Sequence, residues 1–156
     1  MRPLREYLYD AAALDILGCV GVPYAWAVGT PGTPWPPVQS DCSGFAQMVL
    51  VRGSQLRRTE PDRSAAGLAD VCDPVKPQET KLYDLLFYGG HHVSHVMVAI
   101  GGGWVVGASG GGPNTHGDDS RAFVKLERWD YRGDCITGGR IKAAFRPSGR
   151  PDDWTP

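Results

Sequence analysis

Apolar residues recur at three- and four-residue intervals near the start of the chain. Leu4, Tyr7, Leu8, Ala11 and Leu14 share one side of a helical wheel, with Arg5, Glu6 and Asp10 elsewhere on it. This spacing predicts an amphipathic helix over residues 4–17, stopped by Gly18. Across residues 21–40, Pro23, Pro31, Pro34, Pro36 and Pro37 interrupt any long helix, so the segment reads as a structured loop. The next helix is specified at both ends. Asp41 is a good N-cap, Phe45, Met48 and Val49 offer a stripe to bury, and Arg52-Gly53 supplies a cation and a stop. A further short helix is predicted within residues 62–71, and Lys76, Pro77 and Glu79 read as a connection.

Beyond residue 80 the pattern changes to short β-rich runs separated mostly by glycines. Residues 82–88, 93–100, 104–106, 122–129 and 141–145 are predicted strands. Helices first and strands afterwards predict an α+β fold, with N-terminal helices packed on a small antiparallel sheet. In the run 93–100, alternation puts His95 on one face with Met97 and Ala99, and Val96, Val98 and Ile100 on the other. His95 is expected to face the helix that begins near Cys42. A three-residue turn at 101–103 would set Ser109 opposite His95 and Gly107 diagonal to it on the same face.

Length and composition narrow the class. A chain of 156 residues with 42% hydrophobic content is sized for one core. We expect one domain over residues 1–146, followed by a mobile tail, 147–156, that holds three prolines. A formal charge of -1 provides no basic field, so no nucleic-acid partner is expected. Cys19, Cys42, Cys72 and Cys135 have neither zinc-site spacing nor the density of a disulfide scaffold, and Cys19, Cys72 and Cys135 are expected to be reduced, ordinary apolar residues. Acidic residues at Glu6, Asp10 and Asp15 interrupt any secretory apolar stretch, so synthesis in the cytoplasm without a signal peptide is expected. No run approaches the roughly 20 apolar residues that span a bilayer, and membrane insertion is not expected.

The chemistry centres on Asp41-Cys42-Ser43-Gly44 and His95. A thiol at a helix N-terminus sits near the positive end of the macrodipole, which favours the thiolate, and an imidazole could complete a thiolate-imidazolium pair. The Cys42 backbone N–H, free in the first helical turn, could face an oxyanion. The structural alternative is a buried apolar cysteine and a satisfied histidine. His91, His92 and His95 have diverging side chains with no carboxylate or cysteine cluster beside them, so neither a metal nor a cofactor is expected. The glycine runs read as turns, and Arg132-Gly133-Asp134 is a chance tripeptide.

Four blocks resemble the NlpC-type papain-like cysteine peptidases that cut bacterial cell-wall peptides. They are Gly21-Val22-Pro23-Tyr24-Ala25-Trp26, Asp41-Cys42-Ser43-Gly44-Phe45, Tyr83-Asp84-Leu85-Leu86-Phe87, and Ser94-His95-Val96 through to Gly101. They occur in the family's order and span roughly residues 4–110. The resemblance implies a papain-like fold in which Cys42 attacks an amide carbonyl of a peptidoglycan stem peptide. His95 then takes and returns the proton, and a thioester is hydrolysed. It further implies that Tyr24 assists the oxyanion and that Asp41 and Ser43 hold the amino end of the substrate. A core aromatic is the lesser alternative for Tyr24, whereas helix capping alone would explain Asp41.

The resemblance also implies a third polar residue that orients the imidazole, at a position occupied here by Gly107. The candidate substitutes are His116, Ser109, a backbone carbonyl or water, with His116 ranked first. The missing leader makes a phage or prophage product attractive, virion-associated or released to the cell wall, with phage tail proteins as partners. The alternatives are a catalytically weak or inactive structural or peptide-binding part of a phage tail, and an amidase or acyltransferase on the same scaffold.

Overall fold

The computed structural model describes residues 4–26, 34–111 and 121–148. His116 and the tail from residue 149 lie outside them. Helix α1, Leu4–Leu17, forms where predicted but buries a different side. Leu4, Tyr7, Leu8 and Leu14 are exposed, whereas Ile16 is buried and Tyr9, Ala12 and Leu17 pack on the core. The wheel carries more than one apolar stripe, and tertiary hydrogen bonds choose between them. The Tyr9 hydroxyl donates to the Ile100 carbonyl at 2.9 Å, and Asp15 accepts from Trp35 Nε1 at 3.1 Å and from Arg52 Nη2 at 3.0 Å. Arg52 also lies over the Trp35 ring, which stacks on Phe45, so this cluster clamps α1 to the second helix.

Helix α2, Cys42–Arg52, starts as its sequence demands, with the Asp41 carboxylate accepting from the Gly44 N–H at 2.7 Å. It buries Phe45, Ala46, Val49 and Leu50, while Met48 is only half-buried and is not part of the core stripe predicted for it. Helix α3, Ala65–Asp70, is capped by Ser64 within the predicted range. Among the described residues no helix is long and apolar enough to cross a membrane.

Among the described residues six strands form one sheet: β1 Cys72–Val75, β2 Leu85–Tyr88, β3 His95–Gly101, β4 Trp104–Ser109, β5 Phe123–Arg128 and β6 Cys135–Ile141. Their order is β1-β6-β2-β3-β4-β5, with every neighbouring pair antiparallel, as the α+β reading expects. Two strands went unpredicted because their composition argues against them. Strand β1 contains Asp73 and Pro74, and β6 contains Gly138 and Gly139. The glycines answer to crowding: a Cβ at Gly138 would lie 2.7 Å from the Val75 carbonyl oxygen, and one at Gly139 would lie 2.8 Å from both Cys72 and Phe87. The predicted strand over 141–145 is largely absent, since β6 ends at Ile141 and Ala143–Phe145 form a 3-10 turn.

Side chains alternate between two cores. Leu85, Phe87, Val96, Val98, Val106, Ala108 and Val124 join α2 on one face. Leu86, Tyr88, Met97, Ala99 and Val105 line the other, covered by Trp129, Tyr131 and Cys135. The β3–β4 turn is tighter than expected. Gly101 pairs with Trp104, so only Gly102 and Gly103 connect, at φ of 62° and 81°. An irregularity between Ala99 and Gly101 absorbs the difference, and beyond it Ala99 pairs with Val105 and Val98 with Val106.

Candidate active site

The amino end of α2 is held by a short bridged segment. Ser40 donates its N–H to the Pro23 carbonyl at 3.0 Å, Ala25 donates back to the Ser40 carbonyl at 3.1 Å, and Tyr24 donates to the Ala122 carbonyl at 2.9 Å. This pins the buried Tyr24 ring beside Asp41 and Cys42. Gly111 passes so close that a Cβ there would strike the Tyr24 ring. Cys42 is the first residue of α2 and keeps 9% of its surface exposed. Backbone N–H groups of Val96, Ser43 and Cys42 itself hydrogen-bond its thiolate form. The sulfur therefore lies against β3 at Val96, one residue past His95. Tyr24, Asp41, Ser43 and Cys42 thus form one cluster, in which the Asp41 carboxylate is engaged as helix cap.

His95 opens β3, and its ring does not lie over the helix face as alternation was expected to place it. Helix α2 packs on the side of Val96 and Val98, whereas the His95 ring sits on the second face against Tyr88, with ring centroids 5.7 Å apart. The Cys42 sulfur meets the backbone of β3 at Val96, the residue that follows His95 in the chain. His95 Nε2 lies 3.0 Å from the Tyr131 hydroxyl, which is 3.3 Å from Ser109 Oγ. At Gly107 the volume a side chain would need is filled, because a Cβ there would lie 2.6 Å from Met97 Sδ. Ser109, one of the substitutes expected, reaches His95 only through Tyr131. His116, ranked first, lies outside the described residues.

Tyr131 is the residue that sequence reading missed. It is no neighbour of His95 along the chain and lies in the β5–β6 connection. A signal was present in the tripeptide dismissed as chance: Arg132 Nε and Nη2 donate to the two Asp134 oxygens at 2.9 and 2.5 Å, beside the His95 ring. Such a fork-to-carboxylate pair fixes a short loop.

Burial acts on both charge states and opposes the ion pair expected at the helix start. Desolvation raises the Cys42 thiol above its ordinary value against the opposing pull of the Val96 N–H, and Asp41 adds to the rise. Desolvation also lowers His95 to about 4, reinforced by Arg132 and opposed by Asp134. At neutral pH the resting site holds a neutral thiol and a neutral imidazole. Cys19 and Cys72 are pushed up to about 11 and about 12 by burial, and all four cysteines are free.

The depressed His95 value has a stability consequence. Below the ordinary value of 6.5 the unfolded chain protonates this histidine while the folded chain resists until about 4. The contribution of neutral His95 is therefore intact above pH 6.5 and lost as pH falls toward 4. At about 1.4 kcal/mol per pKa unit the loss amounts to a few kcal/mol. Thermal melts are expected to show a steeper decline between these pH values in the wild type than in His95→Gln. Parallel declines would contradict this origin.

Residues 21–125 match the NlpC/P60 family. The chain is 34% identical over 117 residues to the peptidoglycan endopeptidase RipB of Mycobacterium tuberculosis, covering 70% of this chain and 45% of that protein. It thus spans just under half the length of this curated relative. The solved structure of the peptidoglycan hydrolase RipB superposes with a TM-score of 0.63 at 22% identity, covering 90% of this chain and 69% of the other. RipD of the same organism, described as a non-catalytic NlpC/p60 domain protein adapted to peptidoglycan binding, superposes with a TM-score of 0.60 at 22% identity, covering 87% and 97%. The match over residues 21–125, which holds the cysteine helix and strands β1 to β4, together with this degree of identity, establishes that the chain belongs to the NlpC/P60 family.

Proposed function

We propose that this protein is a cysteine hydrolase that cleaves an amide bond in peptidoglycan stem peptides, with Cys42 as nucleophile and His95 as general base. The observation that carries the reading is the lodging of the Cys42 sulfur at the start of α2 against the Val96 N–H, adjoining His95. Because Tyr131 engages Nε2, Nδ1 is the ring nitrogen left to accept the thiol proton. The transfer accompanies attack, since both partners rest neutral. Sulfur bonds to the amide carbon, and the carbonyl π electrons move to oxygen, opposite the Cys42 N–H and the Tyr24 phenol. Burial raises the Tyr24 phenol well above its ordinary value, so it stays a donor. Collapse returns the proton from His95 to the departing amine. Water, deprotonated by the same nitrogen, then releases the acid from the thioester. The peptidoglycan activity carried in the RipB name supports the substrate class.

A second reading, peptidoglycan binding without catalysis, is favoured by Gly107 and by the upward shift of the Cys42 thiol. Digestion of purified muropeptides, with product masses resolved, separates the readings. Cleavage between two stem-peptide residues supports the endopeptidase, and a cut at the sugar-peptide amide assigns an amidase instead. Retention of unchanged peptide with measurable binding supports the second reading.

A further inference from the structure

We propose that Tyr131 is the positioning residue for His95, a phenol on the β5–β6 connection that does through space what a side chain at position 107 cannot. The inference rests on the Cys42-His95 reading above for its kinetic consequence, and on geometry alone for its structural one.

The orienting site on β4 is closed. Gly107 has no side chain to offer and Met97 Sδ packs where its Cβ would stand, so a side chain that orients the imidazole has to come from elsewhere. Tyr131 is built for it. Its N–H donates to the Arg128 carbonyl at 3.0 Å, and its ring meets Tyr88 edge-on with centroids 5.4 Å apart. Tyr88 in turn donates its hydroxyl to the Trp129 carbonyl at 2.8 Å. The Asp134 carbonyl accepts from the N–H groups of Gly89 and Gly90 at 3.1 and 3.2 Å, closing the loop onto the end of β2. A phenol so fixed loses little rotamer freedom when it engages the imidazole.

One donor order in this cluster suits the proposed base. Arg132 can only donate to the Tyr131 oxygen, and the Ser109 hydroxyl can either accept or donate. With its own hydrogen directed to Ser109, Tyr131 accepts from His95 Nε2–H, which leaves Nδ1 without a proton. Reversal of that bond would put the proton on Nδ1 and disable the base. In the proposed order the chain Nε2–H to Tyr131 to Ser109 holds the competent tautomer. Arg132, oriented by Asp134, biases it by occupying the phenol oxygen as a donor.

The test combines ring-nitrogen NMR with kinetics on wild type, Tyr131→Phe and Ser109→Ala. In the wild type at pH 7 the His95 ring is expected to show a protonated Nε2 and an unprotonated Nδ1. In Tyr131→Phe, which keeps the aromatic packing, the two tautomers should mix, and kcat on a muropeptide should fall about ten- to a hundredfold with little change in KM. Ser109→Ala should shift the tautomer ratio in the same direction by less. Tyr131→Phe with an unmixed Nε2–H tautomer would overturn the inference whatever the activity. A wild type that shows the expected tautomer but hydrolyses nothing would sink the hydrolase reading and leave the positioning role standing.

Discussion

Asp84→Ala is expected to destabilise the protein by about 3–5 kcal/mol, the range for breaking a buried ion pair by removing one partner. The Asp84 carboxylate is 2% exposed and takes both forks of Arg140, at 2.8 Å to Nε and 2.7 Å to Nη2. It also accepts the Lys81 N–H at 2.8 Å, and its backbone carbonyl accepts from Ala99 at 2.8 Å. One side chain thus ties β6 to the entry of β2 and closes the turn that precedes it. Arg140 is partly open to water, which places the effect toward the lower end of the range. With roughly 2–4 °C per kcal/mol for a chain of this size, the melting midpoint should drop by about 10 °C. Asp84→Asn keeps the shape and an acceptor, so its drop should be smaller. Equal midpoints for all three proteins would show that the pair does not hold the sheet together.

His95→Gln is expected to lower kcat on a stem peptide by about 10³-fold, with KM changed far less. Glutamine can still exchange a hydrogen bond with Tyr131, but it has no nitrogen basic enough to take a proton from sulfur. The resting state sharpens this dependence. Burial raises the Cys42 thiol and lowers His95, so no standing thiolate is available to attack unaided. Alkylation of Cys42 should accordingly climb with pH into the alkaline range, where a preformed ion pair would give a plateau from acidic pH. A His95→Gln enzyme within tenfold of wild type would remove this histidine from the mechanism.

The cysteine helix was legible in the chain because local signals agreed. Asp41 caps it, Gly53 ends it, and Cys42 stands where the sequence indicates. The β3–β4 hairpin was legible as well, although its turn is built from fewer glycines than supposed. What local pattern could not carry was tertiary choice. Helix α1 turns its Leu4, Leu8 and Leu14 side outward because Tyr9 and Asp15 find partners on the other. Strand β6 hides behind Gly138 and Gly139, which crowding requires and propensity disfavours. The pull of burial on the charge states was not legible either, since only the fold shows how deeply the sulfur is desolvated. Tyr131 escaped notice for a simpler reason: only the folded sheet brings the β5–β6 connection to His95.

The most direct measurement is a time course of hydrolysis of one defined muropeptide by wild type and Cys42→Ala under reducing conditions from pH 5 to 9. The account predicts steady release of two peptide fragments by the wild type. It predicts none above background from Cys42→Ala, a loss on the order of 10⁴-fold or more, with both proteins melting alike. Fragment release by Cys42→Ala at the wild-type rate, or an inert wild type at every pH, would contradict it.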